Sequence, residues 1–61
     1  MLREYVFRWE TADDSGEVSE VEHSQSIAIA QARCDLRHLI DLGQLVDVRL
    51  VAVRTPVLDA A

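Results

Sequence analysis

A small α+β domain with the order strand–strand–helix–strand is the fold this chain predicts, and three observations predict it. Tyr5, Phe7 and Trp9 alternate with Glu4, Val6, Arg8 and Glu10 near the start, the period of a strand. From Ser24 to Gly43 the segment SQSIAIAQARCDLRHLIDLG repeats its apolar residues at helical spacing. Val46, Val48, Leu50 and Ala52 alternate again in the last third.

The first strand is expected over Leu2 to Thr11, where the aromatic residues suit a pleated surface. ADDSG, from Ala12 to Gly16, reads as a hairpin turn, with Asp and Ser bonding the local backbone and Gly supplying a positive φ. Asp13 and Asp14 lack the calcium-loop spacing and its closing Glu. The second strand is expected over Glu17 to His23. Its valines, Val18 and Val21, have opposite parity, which predicts a bulge or a frayed end. Its polar and acidic residues suit an edge position.

A single helix is expected from Ser24 to Gly43. Ser24 is a good N-cap, and Gly43 accepts the left-handed conformation that closes a helix. The intervening eighteen residues, 25–42, would span about 27 Å. Ile29, Ala32, Leu36, Leu39 and Ile40 form its core stripe. The last strand is expected over Gln44 to Thr55, ended by Pro56, which has no N–H to donate to a ladder. Residues 56–61 form a short tail on one domain that covers 1–61.

Joined in this order, the strands form an antiparallel sheet in the order 2-1-3, with the helix on one face. Tyr5, Phe7, Trp9, Val46, Val48, Leu50 and Ala52 are expected beneath the helix. Val6, Arg8, Arg49, Val51 and Val53 are expected on the open back, and that back is only half polar.

Size and charge narrow the function. A chain of 61 residues with one cysteine cannot form an internal disulfide, and so small a domain is marginal alone. The net charge of −5 opposes phosphate binding and anionic membrane surfaces. No apolar run reaches the roughly 20 residues of a spanning helix, and no signal peptide is visible. The expected location is the cytoplasm, with Cys34 reduced. All six basic residues are Arg, and Lys and Asn are absent. This points to GC-rich coding, in a bacterium or a phage.

Chemistry finds little support. Cys34 and His38 share a helical face at i, i+4, but a thiolate–imidazole pair needs an orienting group and an oxyanion site. Zinc would need two further ligands. The remaining carboxylates read as solvated partners of the arginines. No enzyme activity, metal or cofactor is expected. The leading expectation is a self-associating protein–protein interaction module, a homodimer first, joined through the sheet back or the edge of the last strand, with Val6, Arg8, Arg49, Val51 and Val53, and Val57 and Leu58 from the tail, at the seam. A further protein partner is compatible with the same surface. Two alternatives differ in class. One is a nucleic-acid or nucleotide module that stacks bases on Tyr5, Phe7 and Trp9. The other is an acidic inhibitor that mimics nucleic acid, built on Glu17, Glu20 and Glu22.

Overall fold

A computed structural model describes residues 1–56. Three antiparallel strands, β1 (Arg3–Thr11), β2 (Ser15–Glu22) and β3 (Leu45–Arg54), lie in the order β2-β1-β3. Between β2 and β3 run α1 (Gln25–Asp35) and the single turn α2 (Arg37–Asp41). The fold class, strand order and main helix agree with the sequence reading.

The hairpin closes differently from the expectation. Gly16 is not in the turn; it belongs to β2, and Gly43 is the glycine with positive φ, at 67°. Thr11 holds the turn instead. Its hydroxyl accepts from the N–H of Asp14 at 2.9 Å and of Asp13 at 3.3 Å, while its own N–H donates to the Asp14 carbonyl at 2.8 Å. Gly16 stands opposite Trp9 in the register. A Cβ there would lie 2.6 Å from Cζ2 of the indole, so glycine is required because the ring lies flat against the strand.

Front and back of the sheet follow from the register. Tyr5 faces Glu20 and Val53, Phe7 faces Val18 and Leu50, and Trp9 faces Gly16 and Val48. These rows form the front. Phe7, at 1% exposure, centres a core made with Tyr5, Ala28 and Ala32, and flanked by Val18, Ile29, Val48 and Leu50. The β1–β2 ladder runs without a shift. Val18 therefore points in and Val21 out, with no bulge needed.

The β1–β3 ladder shifts twice, between Val6 and Phe7 and between Glu10 and Thr11. The extra β3 residues are Val51 and Val46, each left without an opposite number in β1. A bulge reverses the parity beyond it. Ala52 therefore stands opposite Val6 on the back, and Val53 opposite Tyr5 on the front. This corrects the expected set: Val48 and Leu50 face the helix side as predicted, whereas Ala52 and Val53 exchange faces. Val46 is 71% exposed.

The helix is also corrected. Ser24 caps it as expected, accepting from the Ile27 N–H at 3.3 Å, and Gly43 ends it. But Leu36, at φ −96° and ψ 9°, breaks it into two. After the break Leu39 donates back to the Leu36 carbonyl at 2.9 Å, the tighter i→i+3 bond. The reason is topological. α1 packs over β2 and β1, while β3 lies at the far edge of the sheet. A straight helix would continue past the start of β3; the break turns the chain towards it. The Gly43 and Gln44 N–H groups then donate to Ile40 and Leu39 at 2.9 Å each, closing the end.

Leu36 is buried at the break, whereas Ile40, placed in the core by the periodicity, is exposed. Leu36→Ala should lower stability by about 2–5 kcal/mol in chemical denaturation, and Ile40→Ala by much less. Gly16→Ala should displace Trp9, seen as a red-shifted indole emission and a lower melting temperature.

Candidate interaction surface

The helix covers two strands of three, and that decides where apolar surface remains. Ala28 and Ala32 are fully buried, so α1 sits close to β1 and β2 on small side chains. The front of β3 is covered only where Val48 and Leu50 reach the core. Beside it Ile40, Leu42, Val46, Val51 and Val53 stay exposed. Ile40, Leu45, Val46 and Val48, with Arg33 and Asp47, line a hollow of about 390 Å³. Val46 also borders a neighbouring cleft of about 450 Å³, between Trp9, Leu39, Gly43 and the hairpin turn. The polar groups of that turn already serve the backbone, as Asp14 Oδ1 accepts from the Ser15 N–H at 2.8 Å.

The back differs from its half-apolar expectation. Val6 is only 4% exposed. It lies on the central strand between Ser19 and Ala52, with the stems of Glu4 and Arg8 on either side along the strand. Val21, opposite Glu4, stays exposed on the β2 side of this face, and charged groups carry most of the rest. Glu10 Oε1 lies 3.3 Å from Arg8 Nε and 3.5 Å from Arg49 Nη2. Glu4 pairs with Arg54 at 2.9 Å, and Arg8 donates to the Ser15 hydroxyl at 3.1 Å. Exposed pairs of this kind each add at most about 1 kcal/mol, and among the described residues Asp47, on the same face, makes none.

The sequence-predicted interface residues therefore separate. Val6, Arg8 and Arg49 share the back. Val53 belongs by register to the front, Val51 is the bulge residue, and Val57 and Leu58 lie outside the described residues. Cys34 and His38 stand on different helices, on either side of the Leu36 break, and both are exposed. Among the described residues no three His, Cys, Asp or Glu side chains gather as a metal site, and no helix is long and apolar enough to cross a membrane.

One feature escaped the sequence reading: Glu20, expected among the solvated acids. It lies on the front opposite Tyr5, and its Oε1 is buried without a donor. The Asp35 carboxyl beside it, the loss of water and the charge of Glu22 raise its pKa from 4.5 to about 7. A proton on Glu20 removes the repulsion between the two carboxyls. The parity it shares with Val18 was the available signal. The last strand, whose edge the sequence offered as a seam, is an edge strand carrying Asp47 and Arg49 on either side of Val48. No family model matches the chain, and no curated protein or solved structure matches it.

The Glu20 shift fixes a sign. The folded state holds this proton more tightly than the unfolded chain does, so its contribution is complete below about pH 4.5 and is lost as pH rises through about 7. Thermal melts at rising pH across this window should show stability declining. Glu20→Gln should flatten that decline and raise the melting temperature on the alkaline side.

Proposed function

We propose that the protein is a small non-enzymatic module that self-associates and offers the assembled surface to another protein. The observation that carries this reading is the uncovered apolar margin beside β3, where Val46 is 71% and Leu42 68% exposed. Apolar residues grouped in this way mark an interaction surface more often than a free one. The margin runs along a strand at the end of the sheet order, whose outward N–H and C=O groups are themselves a template for pairing. Size supports the same reading, because 61 residues with a single cysteine leave association as an accessible source of further stability.

Of the two seams expected from the sequence, the sheet back and the edge of the last strand, the second is the one proposed. The ion-paired back has little to gain from burial, while the β3 margin leaves about 25 cal/mol unrealised for each Å² of apolar area still in water. Burial of Tyr5 and Phe7 beneath the helix weighs against a base-stacking platform, and the net charge of −5 weighs against phosphate.

Sedimentation equilibrium at micromolar concentration should give twice the 6.9 kDa chain mass. Val46→Glu, at a site the fold leaves exposed, should shift the mass towards one chain while circular dichroism stays unchanged. A wild-type mass of one chain throughout the micromolar range would remove the reading.

A further inference from the structure

The geometry points to a second copy of this chain as the occupant of the β3 edge, paired antiparallel about a twofold axis through Val48 so that Asp47 of each copy meets Arg49 of the other. This rests on the self-association proposed above and specifies its register.

The argument begins with charges that the fold leaves badly matched. Across the β1–β3 ladder Asp47 stands opposite Glu10, and Arg49 opposite Arg8. Like charges directly opposite are destabilising in a sheet. Glu10 relieves the two arginines by bridging to both. Asp47 gains nothing from this: among the described residues it makes no ion pair, and its cross-strand neighbour is another carboxylate. A cation presented from beyond the open edge would complete it.

The strand can supply that cation to itself. Between the two shifts β3 has one regular run, Asp47 to Leu50. Two copies that pair edge to edge, fronts on the same side, must match residues of equal parity, so a twofold axis falls on a residue. An axis through Asp47 sets two carboxylates face to face, and one through Arg49 sets two guanidiniums face to face. An axis through Leu50 sets Asp47 against Val53 and Arg49 against Val51, and leaves both charges unmatched. An axis through Val48 sets Asp47 against Arg49 twice on the back, and Val46 against Leu50 twice on the front. Only this register answers the charge of Asp47 and shelters Val46 together.

The test exploits the symmetry. Asp47→Arg and Arg49→Asp should each fold, since within the chain the first sets a guanidinium opposite Glu10 and the second sets a carboxylate opposite Arg8. Alone, each variant places like charges across the axis and should dimerise about tenfold more weakly or worse. Mixed, the two restore two opposite-charge pairs, and a heterodimer should form at wild-type affinity, resolved by native mass spectrometry. The double variant, with both residues exchanged in one chain, should recover the homodimer. A dimeric wild type whose single variants dimerise unchanged, with no preference for the mixed species, would overturn this register and leave self-association standing. A monomeric wild type would overturn both.

Discussion

Everything in this fold depends on how Phe7 is enclosed. It stands at the middle of the central strand, between Val18 and Leu50 in the ladders, with Ala28 and Ala32 closing over it. Two alanines one turn apart let the helix backbone approach the sheet closely, which gives the ring dense contact on every side. The same choice limits breadth. A helix seated on alanines over β1 and β2 leaves much of β3 uncovered, so a close fit at Phe7 and an open margin at Val46 and Val53 have one cause.

Electrostatics then divide the two faces. The back is a lattice of arginines and carboxylates that leaves the buried Val6 as its apolar centre. On the front, Glu20 keeps its Oε1 out of water with a second carboxyl near. An acid in that setting holds its proton more tightly, so a residue that looks like ordinary surface charge in the sequence titrates closer to neutrality in the fold.

What was legible in the sequence was periodicity at the level of whole elements. The Tyr5–Phe7–Trp9 alternation, the Ser24 cap and the Gly43 stop each gave a correct boundary or face, because each depends on interactions within a few residues. Wherever a second element decides the outcome, the reading failed. The bulge at Val51 exists only relative to β1, and it reversed Ala52 and Val53. The break at Leu36 follows from where β3 lies. Gly16 looked like a turn residue until Trp9 was placed across from it. The candidate surface was recoverable as β3 but not as a face of β3, since bulges are invisible to a period-two count.

The strand order also bears on how far association can proceed. A sheet with two free edges is in principle a monomer unit for an unlimited ribbon. Here the edges are unlike: β3 carries Asp47, Arg49 and Arg54 among its valines, whereas β2 carries Glu17, Glu20 and Glu22 and no cation. Two β2 edges brought together would align carboxylates against carboxylates. A pair joined at β3, as proposed above, would present only the carboxylate-bearing β2 edges outward, and growth would stop at a closed particle instead of continuing into a fibre.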